Sequence, residues 1–341
     1  MRIIFNGIKK DLILRRAGTA RVSKDAMAPI QDTVVIVAGP TASGKSALAL
    51  DLAEHFGGAV INADSQQSYR DLRILTARPD TAAEARAPHR LYGYLDAAER
   101  GSVARWRELA LAEIAVAVAV GRLPILAGGT GLYLRAVIQG LAVVPDIPPA
   151  IREEAAALYR RLGGVGFRDH LASFDPSAAA RFPPADRTRL TRAYEVVRAT
   201  GIPITEWQRR PIPPAPYRFA TLLLAPPRVA LYAASDARFA AMAASGGLAE
   251  AAALLARDLD PALPAMKAVG VPELIRHLRG EIALADAVEA AQQATRRYAK
   301  RQTTWFRHQL NADLLCHAQY SESFWVESRH FIEQFLLTHR R

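Results

Sequence analysis

Hydrophobic positions change period several times along the chain, and each change marks an element. Thr33-Val34-Val35-Ile36-Val37-Ala38 is an unbroken, β-branched apolar run, the pattern of a strand buried on both faces of a parallel sheet. Ala47 to Phe56 follows with helical character and is closed by Gly57-Gly58, after which Ala59-Val60-Ile61-Asn62 reads as a second buried strand. Val103 to Val120 predicts a long helix, and Leu123-Pro124-Ile125-Leu126-Ala127 a third strand that runs into Gly128-Gly129. Strands and helices alternating in this way predict an α/β fold, a parallel sheet flanked by helices.

The pattern then breaks. Pro145, Pro148 and Pro149 open a stretch that Pro211, Pro213, Pro214 and Pro216 close, and Phe219 to Ala225 returns to the core-strand pattern. The proline clusters predict hinges around an inserted all-helical domain. Inside it Asp186 can cap a helix that Gly201 ends, with Leu190, Ala193 and Val197 as its buried stripe and Arg187, Arg189, Arg192 and Arg198 riding on it. The expected division is a basic extension (1–30), the first part of a core (31–143), the helical insertion (144–216), the second part of the core ending in a basic helix (217–310), and a tail (311–341). Phe324, Trp325, Phe331, Phe335 and Leu336 predict a packed helix in that tail.

Composition narrows the class. At 341 residues, 50% hydrophobic and 23% charged, the chain is long enough for two folded domains, which argues against disorder. Cys316 has no intramolecular partner, so a disulfide scaffold is excluded and a reducing compartment fits. The longest plain apolar stretch, Ile114 to Val120, falls far short of the roughly 18 residues a bilayer-spanning helix needs. No export signal is read in the N-terminus; a cytoplasmic protein acting as a monomer, away from membranes, is expected. The 44 basic residues against 33 acidic give +11, which points to a polyanionic partner. Residues 1–26 alone hold seven basic side chains against two acidic ones; they read as a dispensable extension before Met27, or as a basic arm for nucleic acid.

Candidate chemistry sits at the ends of the predicted strands. Gly39-Pro40-Thr41-Ala42-Ser43-Gly44-Lys45-Ser46 between the first strand and the first helix is a phosphate loop, whose backbone amides converge on an anion. Lys45 can reach the terminal phosphate and Ser46 can hold magnesium. The second strand delivers Asp64, which in an open α/β sheet lies beside that loop and can bind magnesium, take a proton, or merely cap the next turn. The third strand ends in Gly128-Gly129-Thr130, with no carboxylate where many phosphate-loop NTPases hold their magnesium, which argues against ATP hydrolysis. Near the C-terminus, Arg296 with Lys300 and Arg297 with Arg301 are like charges at helical spacing, tolerated more readily against RNA backbone. Tyr298, Trp305 and Phe306 are candidates for stacking on bases, although aromatics at helical spacing are more often core, the reading favoured for Trp305 and Phe306.

Six motifs in order, the phosphate loop, Asp64-Ser65-x-Gln67-x-Tyr69, Thr76-Ala77-Arg78-Pro79, Pro88-His89-Arg90-Leu91, Gly128-Gly129-Thr130-Gly131-Leu132-Tyr133 and Arg296-x-Tyr298-Ala299-Lys300-Arg301-Gln302-x-x-Trp305-Phe306-Arg307, resemble the tRNA dimethylallyltransferase family from about Val34 to Arg307. The resemblance implies a P-loop NTPase-like core with a tRNA-contacting helical insertion. It also implies transfer of the dimethylallyl group of dimethylallyl diphosphate to N6 of the adenosine just 3′ of the tRNA anticodon, with magnesium as cofactor and release of pyrophosphate. Within it Thr41 corresponds to the threonine facing the bridging oxygen of the leaving group, and Asp64 to the carboxylate that takes the adenine proton. Arg238 of Arg238-Phe239-x-x-Met242, from its spacing an ordinary helix arginine, becomes the arginine that stabilises the leaving group. Asp64, Ser65, Gln66, Gln67, Thr130, Arg152, Thr188, Arg189, Leu190, Thr191, Arg192, Arg296, Lys300 and Arg301 are implied as tRNA contacts.

Several positions depart from the family pattern. Leu75 stands for a glycine, Arg78 for a lysine, Val271-Pro272 for a tyrosine and its neighbour, and Ala234 for an arginine. None touches Thr41, Lys45, Asp64 or Arg238. A small-metabolite kinase and a prenyltransferase acting on free adenylate share the loop but leave the insertion and the basic helix without a purpose; a non-catalytic RNA-binding module leaves Asp64 and Thr130 without one.

Overall fold

A computed structural model of the protein describes residues 32–338 apart from residue 143; the N-terminal extension lies outside them. In chain order the elements are β1 (Thr33–Ala38), α1 (Lys45–His55), β2 (Ala59–Asn62), α2 (Thr81–Arg86), β3 (His89–Arg90), α3 (Val103–Ala119), β4 (Pro124–Gly128), α4 (Gly131–Ile138) and β5 (Leu141–Ala142). The insertion supplies α5 (Pro149–Ala172), α6 (Pro176–Arg181), α7 (Arg187–Thr200) and α8 (Ile204–Gln208). There follow β6 (Pro211–Ile212), β7 (Arg218–Leu224), α9 (Arg228–Met242), α10 (Leu248–Leu255), α11 (Val271–Leu278), α12 (Leu284–Gln309), β8 (Leu314–Cys316) and α13 (Glu322–Leu337).

Every residue of β1 is buried, because both faces of the sheet are covered. Val35 and Val37 point into a core shared with Leu48 and Leu52 of α1, while Val34 and Ile36 point into one shared with Trp106, Ile114, Leu134 and Phe306. The six main strands run in the order β3-β2-β4-β1-β7-β8, all parallel. The chain leaves β1 for β2 on one side and later returns to β7 on the other. This reversal opens a crevice at the carboxyl ends of the strands, where ligands of open α/β sheets bind.

Two short strands not expected from the pattern, β5 and β6, pair antiparallel and join the two ends of the insertion, Ala142 opposite Pro211 of the closing proline cluster. The insertion has its own apolar cluster, including Phe167, Leu171, Leu190, Ala193 and Val196. As read from the sequence, Asp186 caps α7 by accepting from the Arg189 amide, and Gly201 ends it at φ 70. α12, with 26 residues and hence about 39 Å long, runs from a third core around Ala287 and Ala291 to Phe306 under the sheet. Its middle turns pass over the crevice. The tail differs from expectation: it holds the packed helix α13 but also contributes a strand, β8.

Candidate active site

The phosphate loop bends from β1 into α1 through two left-handed residues, Ala42 at φ 61 and Gly44 at φ 90. Lys45 is buried and its ammonium donates to the Pro40 carbonyl at 3.3 Å, folded back over the loop. Burial lowers its pKa to about 8; the Asp64 charge opposes this shift and Arg238 adds to it. Ser43 Oγ is buried without a hydrogen-bond partner inside the loop, and Ser46 is exposed on the first turn of α1.

Arg238 reaches the loop from α9, and its guanidinium donates to the Thr41 hydroxyl. Desolvation pulls its pKa down, against the attraction of Asp64. The Thr41 amide donates to Gln302 Oε1 at 2.8 Å, and Gln302 Nε2 donates to the Gly129 carbonyl at 2.9 Å, so one buried side chain of α12 ties the phosphate loop to the end of β4. Gln302 lies in the Arg296 to Arg307 motif, but only its two partners reveal its task.

Asp64 is buried just past β2, and its two oxygens do different things. Oδ1 accepts the Gln66 amide at 3.0 Å, the cap-like bond that its position allowed. Oδ2 faces Gly129, where a Cβ would stand 3.3 Å away, and the carboxylate lines the cleft. Fully buried Asn62 fixes this segment: its Oδ1 accepts the Asp64 amide at 2.8 Å, and its Nδ2 donates to the carbonyls of Asp64 and Leu91. A Cβ on Gly128 would lie 2.1 Å from the Ala63 carbonyl, so glycine there lets the ends of β2 and β4 close on one another. Thr130 completes the junction, its hydroxyl accepting the Ser65 amide at 2.9 Å.

The resulting cleft is polar at Thr41, Asp64, Gln66, Arg238 and Tyr298 and apolar at Leu75, Phe239, Met242 and Val269. Burial, and then the Asp64 charge, raise the Tyr298 pKa and keep its phenol neutral. Leu75, the departure from the family glycine, packs against Gly247, where a Cβ would meet its Cδ2 at 2.8 Å. Its loop hangs from Glu250, whose carboxylate accepts the amides of Arg73, Ile74 and Leu75 at 2.8, 2.6 and 2.9 Å. Nothing local in the sequence marks Glu250, since these partners lie some 175 positions away.

The expected RNA contacts divide. Gln66 Oε1 accepts the Val269 amide and Gln67 donates to the carbonyls of Thr76 and Ala77, so both brace loops of the protein. Arg296 pairs with Asp236 of α9 at 2.6 Å and holds α12 against α9. Leu190 is fully buried in the insertion core, so its side chain supports α7 and cannot reach a ligand. Thr191 bonds back to the Arg187 carbonyl, Arg189 pairs with Asp186 at 3.4 Å and Arg192 with Glu195 at 3.6 Å. Thr188 lies beside them on α7, and Arg152 on α5, which packs against α7. Lys300 and Arg301 are exposed on α12 and border a shallow groove with Arg297, Thr304 and Trp305. Phe306 is core, as expected, while Trp305 lies half-buried over Gly131.

The IPP transferase family model matches residues 67–309. The chain is 58% identical over 286 residues to the tRNA dimethylallyltransferase of Rhodospirillum centenum, spanning 83% of this chain and 91% of that one. The chain belongs to the IPP transferase family. It is likewise 56% identical over 311 residues to the tRNA dimethylallyltransferase of Rhodospirillum rubrum, covering 89% of this chain and 95% of the relative. Among solved structures, the full-length tRNA isopentenylpyrophosphate transferase of Bacillus halodurans superposes with a TM-score of 0.64 at 32% identity, covering 90% of this chain and 97% of that one. A eukaryotic dimethylallyltransferase acting on tRNA shares the fold, with a TM-score of 0.76 at 24% identity over 91% of this chain and 80% of its own. In this chain Thr41 of the loop, Asp64 and Arg238 line one cleft, and β8 and α13 lie after the residues that the family model matches.

Proposed function

We propose that the protein transfers the dimethylallyl group of dimethylallyl diphosphate to N6 of the adenosine just 3′ of the anticodon in tRNA, releasing pyrophosphate. The observation that carries this reading is the convergence of Thr41, Asp64 and Arg238 on one half-apolar cleft, with Lys45 buried within range of the Asp64 and Arg238 charges. The loop amides, Lys45 and Arg238 receive the diphosphate, while Leu75, Phe239, Met242 and Val269 shelter the prenyl chain from water. As the C–O bond breaks, negative charge grows on the bridging oxygen, which the Thr41 hydroxyl faces with Arg238 behind it. The adenine amine forms the new C–N bond and passes its proton to Asp64, whose Oδ1 is anchored to the Gln66 amide.

Among the described residues no three His, Cys, Asp or Glu side chains could cage a metal. That suits magnesium, which keeps its waters and binds through few protein oxygens together with substrate phosphates. Ser46, exposed beside the loop, would hold the ion, which would supply positive charge to neutralise the leaving diphosphate. The exposed Lys300 and Arg301 of α12 and the arginines of α7 supply cations for the anticodon stem-loop. Acting on tRNA, the protein would work as a monomer in the cytoplasm; among the described residues no helix is long and apolar enough to cross a membrane.

The test incubates the protein with magnesium, dimethylallyl diphosphate and an unmodified anticodon stem-loop, then weighs the RNA. A gain of one five-carbon prenyl unit on the adenosine 3′ of the anticodon is expected. RNA of unchanged mass, with a small acceptor phosphorylated from ATP instead, would discard the reading for a kinase.

A further inference from the structure

The residues after α12 lie beyond the family-model match, and the proposed chemistry gives them no task. They are nonetheless firmly anchored at both ends. β8 pairs with β7 in the register Leu222↔Leu314, Leu223↔Leu315 and Leu224↔Cys316, and α13 sinks Phe324 and Ile332 into the core shared with α1. Between these anchors the chain crosses the outer side of the phosphate loop. Gln319 Nε2 donates to the Ala42 carbonyl at 3.3 Å, and the Tyr320 amide donates to the Ser43 carbonyl at 3.2 Å. The Tyr320 hydroxyl donates to Asp51 of α1 at 2.5 Å. The fit is close: a Cβ on Gly44 would stand 2.6 Å from the Tyr320 Cβ.

These contacts bear on how the loop receives an anion. No peptide bond of the described chain is cis, so holding the Ser43 carbonyl outward turns the Gly44 amide the opposite way, into the loop. Ala42, whose carbonyl Gln319 holds, sits at φ 61, a conformation that L-residues avoid and that persists only where the surroundings over-determine it. The loop is thus pinned from within by Gln302 on Thr41 and from without by Gln319 and Tyr320.

We propose that Cys316–Ser321 is a positioning strap, which through Gln319 and the Tyr320 amide holds the phosphate loop in its diphosphate-receiving shape. Neither residue touches substrate. The proposal rests on the reading that this loop binds the diphosphate, and its test separates the two.

Inorganic pyrophosphate with magnesium is titrated calorimetrically into the full chain, and KM is measured for each substrate. Gln319→Ala is expected to weaken pyrophosphate binding about fivefold, the loss of one hydrogen bond, and to raise KM for dimethylallyl diphosphate alike. KM for the stem-loop stays unchanged, and Gln319→Lys, which restores a donor, recovers most of the loss. Tyr320→Phe keeps the backbone donor and binds as wild type, with a lower thermal midpoint. Glu333→Ala, which breaks the α13 contact to His55, lowers only that midpoint. Wild-type pyrophosphate affinity in Gln319→Ala would overturn the strap, as would equal weakening by Glu333→Ala or an equal rise in the stem-loop KM. Wild-type protein that binds pyrophosphate but prenylates no RNA would instead overturn the function and leave the strap standing.

Discussion

Replacing Gln302 with leucine keeps the side-chain volume and removes both bonds that join the phosphate loop to the end of β4. The Thr41 amide loses its 2.8 Å acceptor and the Gly129 carbonyl its 2.9 Å donor, at a side chain only 6% exposed. Leaving a buried polar group unpaired costs about 1–3 kcal/mol, so the two together should destabilise the closed site by about 2–6 kcal/mol. If that is lost from transition-state stabilisation, kcat/KM falls by about 30- to 20,000-fold, because each tenfold is about 1.4 kcal/mol. Gln302→Glu separates the two bonds: it keeps an acceptor for Thr41, drops the donor to Gly129 and adds a charge that repels diphosphate. Leucine should therefore depress kcat, whereas glutamate should mainly raise KM for dimethylallyl diphosphate. The assay is steady-state transfer to a stem-loop alongside thermal unfolding and circular dichroism. A folded Gln302→Leu protein with kcat/KM close to wild type would refute the idea that this bridge sets the site.

Other predictions follow from the same geometry. Because the free-enzyme pKa of Lys45 is lowered to about 8, kcat/KM for the diphosphate should fall as pH rises past that value, while kcat should hold to higher pH, since bound diphosphate favours the charged lysine; coincident limbs would contradict this. In stability the sign is opposite. The unfolded lysine keeps its proton up to about 10.5, so between about 8 and 10.5 the unfolded state binds more protons and Lys45 makes the fold more stable as pH rises. Chemical unfolding of wild type and Lys45→Met across that window should show the difference. Glu250→Ala frees three loop amides and should lower stability by about 2–3 kcal/mol while raising KM for dimethylallyl diphosphate; a stability loss with unchanged KM would detach the 73–75 loop from the substrate cleft. Leu75→Ala should open the apolar end of the cleft, so that product mass reveals transfer from a ten-carbon prenyl diphosphate that the wild type rejects; rejection by both proteins would place the prenyl chain elsewhere.

What could be read from the sequence is what neighbours along the chain determine. The strand, loop and helix from Thr33 to His55 are contiguous and announce themselves, and Asp64 and Thr130 follow from where their strands end. Short elements were invisible because distant partners make them. β3 has two residues, and β8 is a strand only because β7 offers it an edge. The side chains that tension the cleft were equally hidden. Glu250, Asn62 and Gln319 are ordinary residues until the fold brings their carbonyl and amide partners to them. Charge pattern misleads for a related reason: Arg296 looks like its neighbours on α12, but the face it occupies meets Asp236. Leu190 sits inside a matched motif, yet helical periodicity already placed it in the buried stripe of α7.

In the proposed reaction Asp64 takes the proton of the adenine amine while Thr41, Lys45 and Arg238 hold the leaving diphosphate. The most direct measurement is single-turnover transfer with Asp64→Asn, enzyme in excess over a labelled stem-loop and dimethylallyl diphosphate saturating. Asparagine can still accept the Gln66 amide, so RNA and pyrophosphate affinities should stay near wild type while the chemical step slows by about 10²- to 10⁴-fold, the usual worth of general-base catalysis. Transfer at the wild-type rate by a correctly bound Asp64→Asn complex would contradict the account.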